Sequence, residues 1–206
     1  MKILMTGASG KLGTELQQYF HEHQLDTDRH DFTQSLVHGE HDLILHIGAY
    51  TDVKKAETDW ATCFQVNAFG TFNLVQTYKD TPFIYISTEY AKHPLGIYAL
   101  TKYLGEEVVA SHPNHLIVRT LFKPTPWPFE YAYEDQYTQG DYVDVIAKEL
   151  AHIILAWDRQ TSDMLYCGTG RKTMFELAKK TRPDVKPNTV RDYVQQTGVP
   201  IPYDYE

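Results

Sequence analysis

Cysteine is scarce in this 206-residue sequence, which contains only Cys63 and Cys167, far apart and without a Cys-x-x-Cys pair. We interpret both as reduced core thiols of a cytoplasmic protein, not as a disulfide framework. Long apolar runs are also lacking, and none reaches the roughly 20 residues that span a bilayer. Gly and Ser interrupt the apolar start MKILMTGASG too early for a signal peptide. We therefore expect neither a membrane segment nor secretion.

A basic excess is missing as well: 19 Lys and Arg stand against 27 Asp and Glu, for a net charge of -8. This balance argues against nucleic-acid binding, which requires a basic surface. It leaves room for a small anionic ligand, because a helix N-terminus and a few cations bind one locally. The ten His are scattered, and the tightest group, His21-Glu22-His23, lacks a third ligand. No metal site is predicted.

Short apolar runs alternate with helical patterns over most of the chain, and 42% of the residues are apolar. This alternation predicts an α/β fold, a Rossmann-like doubly wound parallel sheet with helices on both faces. The predicted strands are Lys2–Thr6, Leu25–Asp28, Asp42–Gly48, Pro82–Ser87 and His115–Thr120. After these strands the composition changes, because the segment 123–129 contains three prolines. We predict a dinucleotide-binding domain over 1–122 and a small C-terminal substrate-binding region over 123–206, interleaved with it.

The segment TGASGKLG, residues 6–13, places three glycines three apart between the first strand and the first helix. Glycines there allow a pyrophosphate to approach the backbone and bind at the helix N-terminus. The alternative is a glycine-rich turn that binds nothing. The predicted cofactor contacts in this turn are Gly7, Ser9, Gly10, Lys11, Leu12 and Gly13.

The second strand is expected to end near the adenosine ribose of a bound dinucleotide. It offers Asp26, Asp28, Arg29 and His30. An acid favours the 2′-hydroxyl of NAD and an arginine favours the 2′-phosphate of NADP. Both cofactors stay possible, and Arg29 favours NADP. Each of these four side chains is equally well explained as solvated surface charge.

Tyr98 and Lys102 share one face of a predicted helix that follows a strand ending at Thr88. An ammonium near a phenol lowers its pKa from about 10 towards neutrality, where proton transfer is most efficient. Thr88 would donate to the same substrate oxygen. The three residues suit carbonyl reduction, and an ordinary surface pair is the alternative.

Several segments in order resemble the extended short-chain dehydrogenase/reductases, and among them the dTDP-4-dehydrorhamnose reductase group. The matching segments are TGASGKLG at 6–13, HIGAYTDVKKAE at 46–57, VNAFG at 66–70, STEY at 87–90, Tyr98-x-x-x-Lys102, Gly105-Glu106 and Arg119-Thr120. The resemblance implies keto reduction on a nucleotide sugar, with Tyr98 as proton donor, Lys102 tuning it and Thr88 orienting the carbonyl. It also implies cofactor contacts from Gly48, Ala49, Tyr50, Asn67, Tyr98 and Lys102.

The segments before Tyr98 and before Asp135 are shorter than in that group, so the substrate half looks reduced. A smaller substrate or completion by a second subunit, as in a homodimer, would account for this. The alternatives are an epimerase or dehydratase, with Glu89 as a further acid, and a non-catalytic dinucleotide-binding or partner subunit. Core packing competes with binding for Tyr50, and a buried side chain satisfied by backbone hydrogen bonds is the alternative for Asn67. Core cover or a dimer contact is the alternative for the aromatic group Trp127, Phe129, Tyr131 and Tyr133.

Overall fold

The computed structural model describes residues 1–33 and 39–203. Its strands there are β1 Lys2–Thr6, β2 Asp26–His30, β3 Leu43–His46, β4 Phe83–Thr88, β5 His115–Thr120, β6 Phe122–Lys123, β7 Tyr131–Tyr133, β8 Tyr137–Thr138, β9 Asp141–Tyr142, β10 Asp163–Cys167, β11 Lys172–Thr173 and β12 Lys186–Asn188. The helices are α1 Lys11–Glu22, α2 Val53–Ala56, α3 Trp60–Phe64, α4 Thr71–Thr77, α5 Gly96–Ala110, α6 Val143–Ala156, α7 Met174–Lys179 and α8 Val190–Thr197. A π-helix, Gln65–Gly70, joins α3 to α4, and a 3-10 helix, Glu89–Lys92, follows β4.

The central sheet has six parallel strands in the order β10-β5-β4-β3-β1-β2. Side chains alternate between its faces, because successive residues of a strand point in opposite directions. Ile3 and Met5 pack with α1 and α6 on one face, whereas Leu4 packs with α4 and α5 on the other. Helices therefore cover both faces, and the predicted Rossmann-like doubly wound fold is confirmed.

Several predicted boundaries are wrong: the strand expected at Asp42–Gly48 is Leu43–His46, and the one expected at Pro82–Ser87 is Phe83–Thr88. The second strand, expected at Leu25–Asp28, runs from Asp26 to His30, because its parallel pairing with β1 extends to the partner of Thr6. This edge strand has no apolar pattern that could have marked its end. Between Gly48 and β4 the chain forms α2, α3, the π-helix and α4.

The chain after β5 contributes to two cores. Strand β10 joins the central sheet and α6 packs against it, whereas β7, α7 and α8 contribute to a second apolar cluster with Trp127 and Leu177. Trp127 is buried in that cluster and Phe129 is exposed. The division into regions 1–122 and 123–206, interleaved with each other, stays a prediction. Over the described ranges, no helix combines the length and apolarity needed to cross a bilayer.

Candidate active site

A cleft of about 920 Å³ lies at the carboxyl ends of the parallel strands. The turn between β1 and α1 lines the cleft, and so do Thr88 and Tyr98. Ligands of open α/β sheets bind at this edge, where the strand order reverses between β1 and β3. The sequence-predicted residues that line the cleft are Gly7, Ser9, Gly10, Lys11, Leu12, Gly13, Arg29, Gly48, Ala49, Thr88 and Tyr98.

Close backbone packing explains the glycines of the turn. Gly7 has a φ of +69°, and a Cβ there would lie 2.6 Å from the Gly48 nitrogen. A Cβ on Gly13 would lie 2.8 Å from the Cα of Ala8, so α1 could not start so close to β1. Gly10 is the N-cap of α1 and its own amide donates to the Gly7 carbonyl at 3.0 Å. Gly7 and Gly13 allow the close backbone packing of the turn, whereas Gly10 leaves space for a ligand beside the helix N-terminus.

A buried histidine holds the carboxyl ends of β1 and β3 together below this turn. His46 bonds to the hydroxyl of Thr6 at 2.6 Å and to that of Thr71 at 3.0 Å. The Thr6 hydroxyl also accepts from the Gly48 amide at 3.1 Å. Burial holds the pKa of His46 well below its usual value, so the ring is neutral and serves as a structural link.

The end of β2 presents Arg29, His30 and Asp31 to the cleft. Asp28 does not line it, because its carboxylate pairs with Lys2 and with His41, each at 3.0 Å. Hydrogen bonds from His41 and then Lys2 lower the pKa of Asp28. The Nε2 atom of His30 is buried and has no hydrogen-bond partner among the described residues. This end of the cleft thus offers a cation and an unpaired ring nitrogen.

Thr88 ends β4 and Tyr98 lies in the first turn of α5, and both side chains line the cleft. The Thr88 hydroxyl accepts from the Tyr90 amide at 3.3 Å. Burial raises the pKa of Tyr98 well above its ordinary value. The phenol is therefore neutral at physiological pH and is ready to donate its proton rather than to accept one.

Lys102 does not reach the cleft, so the prediction that its ammonium lowers the pKa of Tyr98 is wrong for this structure. Its Nζ donates to the Ile86 carbonyl at 2.8 Å and lies 4.0 Å from the centre of the Tyr85 ring. The side chain is 2% exposed, and burial lowers its pKa to about 7. The i, i+4 spacing places both residues on one helical face, but the long lysine side chain extends to β4 instead of towards the phenol.

Asn67 and Tyr50 also lie behind the cleft wall. The Asn67 Oδ1 accepts from the Tyr50 amide at 2.8 Å, and its Nδ2 donates to the Tyr50 carbonyl at 3.1 Å. The Tyr50 phenol donates to Asp59 at 3.1 Å, and burial raises its pKa to about 12. The structure does not bring either side chain to the predicted cofactor contact. Instead, Asn67 fixes the backbone next to Gly48 and Ala49, which do line the cleft.

Glu89 would be the further acid of a dehydratase, but it does not line the cleft. Its carboxylate accepts from the Thr138 hydroxyl at 2.6 Å and from the Gln139 amide at 2.9 Å. The residue is 1% exposed, and burial raises its pKa. Glu89 therefore anchors the 138–140 loop.

Lys123 and Phe122 line the cleft and were missed by the sequence reasoning. They follow Thr120, the carboxyl end of β5, where parallel strands place ligand-binding residues. Their position after a strand end could therefore have identified both residues from the sequence. The pairing of β6 with β9, which holds both residues in place, was not visible in the sequence.

The model of the RmlD substrate binding domain family matches residues 1–123. A dTDP-4-dehydrorhamnose reductase of Mycobacterium tuberculosis (strain CDC 1551 / Oshkosh) is 28% identical over 59% of this chain and 50% of its own length. A probable dTDP-4,6-dihydroxy-2-methyloxan-3-one 4-ketoreductase of Streptomyces antibioticus is 27% identical over 93% of this chain and 80% of its own. The chain spans about half the length of the mycobacterial relatives it matches, at 50% and 45% of their lengths.

Solved structures share the fold. The dTDP-4-dehydrorhamnose reductase of Bacillus anthracis, in complex with NADP, superposes with a TM-score of 0.80 at 23% identity, covering 99% of this chain and 89% of that one. A dTDP-4-dehydrorhamnose reductase from Clostridium acetobutylicum gives a TM-score of 0.78 at 24% identity, covering 94% of this chain and 85% of that one.

Proposed function

Because the chain belongs to the RmlD substrate binding domain family, we propose that it is an NAD(P)H-dependent reductase of a keto group on a nucleotide-activated sugar. The observation that carries this proposal is one continuous cleft that joins the glycine turn to the Thr88–Tyr98 pair. A dinucleotide held by the turn would have room to extend along this cleft towards Thr88 and Tyr98. The close packing around Gly7 and Gly13, which a Cβ would disrupt, fits such a cofactor.

A reduced nicotinamide bound in the cleft would supply the hydride to the keto carbon. Tyr98 donates its proton to the carbonyl oxygen as negative charge develops there, and Thr88 orients that oxygen by a hydrogen bond. The raised pKa of Tyr98 suits this direction, because the phenol stays protonated before each turnover. An alkoxide is far more basic than a phenolate, so the proton transfer remains favourable.

The names of two relatives support a sugar nucleotide as the substrate. One is a dTDP-4-dehydrorhamnose reductase and the other a probable dTDP-sugar 4-ketoreductase. The exposed ring of Phe129 also lines the cleft and provides an apolar surface for a base or sugar. Glu89 is committed to the 138–140 loop, which disfavours a dehydratase.

The direct test is to incubate the protein with NADPH and a dTDP-4-keto-6-deoxysugar. We expect loss of NADPH absorbance and formation of the dTDP-6-deoxysugar in equal amounts. Conversion of the sugar without net consumption of NADPH would instead indicate an epimerase. Binding of NADPH without turnover of any keto-sugar nucleotide would indicate a non-catalytic subunit and would contradict the proposal.

We propose NADPH over NADH, because Arg29 and the unpaired Nε2 of His30 line the ribose end of the cleft while Asp28 is paired elsewhere. Replacing Arg29 by Ala should weaken NADPH binding by about tenfold, the worth of one charge-assisted hydrogen bond to phosphate. NADH affinity should change by less than about twofold, since NADH lacks that phosphate. Calorimetry with both cofactors measures this, and an equal loss for the two would contradict the assignment of Arg29.

We also propose a cellular location, a substrate class and an oligomeric state for this protein. We place the protein in the cytoplasm, since Cys63 and Cys167 are both buried and free. The net charge of -8 supports a small-molecule substrate over nucleic acid. A homodimer that completes the reduced substrate region stays a prediction.

A further inference from the structure

Lys123 occupies an unusual place for a lysine in this fold. It ends β6, which pairs with β9, and its side chain lines the main cleft. The next two residues, Pro124 and Thr125, form with Ser9 and Lys11 the walls of a smaller cavity beside it. The segment after β5 therefore faces the glycine turn across a gap, and Lys123 stands on the wall opposite the predicted diphosphate cradle.

Among the described residues, the ammonium of Lys123 has no anionic partner. It forms neither a hydrogen bond nor an ion pair within residues 1–33 and 39–203. Its nearest aromatic neighbours are Trp127 and Phe129, whose ring centres lie 6.0 and 5.8 Å from Nζ. A partly enclosed cation without a carboxylate is costly unless a ligand brings the negative charge.

The positive charge of Lys11, on the opposite wall of the cleft, makes the charged form of Lys123 still less favourable. Burial lowers the pKa of Lys123 to about 8, with a second contribution from the positive charge of Lys11, while Glu89 opposes it. The cleft lining carries Lys11, Arg29 and Lys123 against the single acid Asp31. This local excess of positive charge stands out in a chain of net charge -8. Two like charges that face each other across a gap are relieved by a dianion between them.

We propose that Lys123 and Lys11 hold the diphosphate of the dinucleotide from opposite sides, so that the segment after β5 takes part in cofactor binding. The glycine turn supplies amides from one side, and Lys123 supplies a cation from the other. This inference rests on the proposed dinucleotide cofactor. It assigns to the C-terminal region, so far expected to bind only substrate, a direct role in holding the cofactor.

The test compares four proteins by calorimetry with NADPH at pH 7: the wild type, Lys123→Met, Lys123→Arg and Lys148→Met. Lys148 is an exposed lysine of α6 and provides the matched control. We expect Lys123→Met to weaken NADPH binding by about tenfold, and the other two variants to stay within about twofold of the wild type. Titration of dTDP into the NADPH-saturated proteins should give the same affinity in all four.

The wild type alone offers a second measurement. Between pH 7 and pH 9 the free protein loses the proton of Lys123, whose pKa is about 8, so NADPH affinity should fall by up to about tenfold. Lys123→Met should remove most of this dependence. The 2′-phosphate ionises near pH 6 and does not contribute in that range.

Unchanged NADPH affinity in Lys123→Met would overturn the inference, as would a loss of dTDP affinity in its place, which would make Lys123 a substrate residue. Either result leaves the proposed reductase intact. Failure of the wild type to bind NADPH or NADH would remove both the inference and the proposed function. That failure is visible without any variant.

Discussion

Replacing Tyr98 by Phe should lower kcat for keto-sugar reduction by about 1,000-fold, within the range observed for loss of a general acid. The change removes only the phenolic hydroxyl, which lies in the cleft with that of Thr88. Without it, negative charge that develops on the substrate oxygen has no proton donor. NADPH affinity should stay within about twofold, because the glycine turn is untouched.

Tyr103→Phe is the matched control for this experiment. Tyr103 lies on the same helix, α5, and its phenol bonds to Glu107 outside the cleft. The same chemical change there should leave kcat within about twofold, as surface substitutions usually do. Steady-state kinetics and calorimetry on both variants separate chemistry from binding. A Tyr98→Phe protein with full activity would exclude Tyr98 as the proton donor.

Replacing Gly10 by Glu should weaken NADPH binding by at least about 100-fold, because it places a carboxylate at the helix N-terminus where the diphosphate is expected. Gly10 is the position of the turn at which this change is compatible with folding. Its φ of -75° is accessible to any residue, and a Cβ there would meet only the Gly7 carbonyl, at 3.2 Å. At Gly7 or Gly13, by contrast, a Cβ would collide with backbone.

Gly10→Ala separates charge from bulk, because it adds the Cβ alone. We expect it to lower NADPH affinity by less than about tenfold, since the Gly7 carbonyl need move only a few tenths of an ångström. Calorimetry gives both affinities, and thermal unfolding verifies that both variants are folded. If Gly10→Glu bound NADPH as tightly as the wild type, the cofactor would have to lie elsewhere, and the reductase proposal would lose its basis.

Part of the candidate site could be predicted residue by residue. The glycine turn, Thr88 and Tyr98 line the cleft, because they lie at or after strands whose apolar pattern is legible, and parallel strands end at one edge. Arg29 also lines the cleft, although the edge strand β2 that carries it has no such pattern. The roles of Lys102, Asn67 and Tyr50 were not predictable in the same way. Helical spacing places Lys102 beside Tyr98, but the direction of its long side chain depends on the Ile86 carbonyl, which belongs to another strand.

The sequence by itself determined the strand–helix alternation, the glycine turn and the position of the hydroxyl pair, because these depend on local pattern and on spacing within a few residues. Only the tertiary structure decided which polar groups face the cleft. It turned Asp28 towards Lys2 and Glu89 towards Thr138, and it left Lys123 unpaired opposite Lys11. These outcomes depend on partners far away in the chain, whose distances and directions are set by packing and cannot be inferred from local spacing.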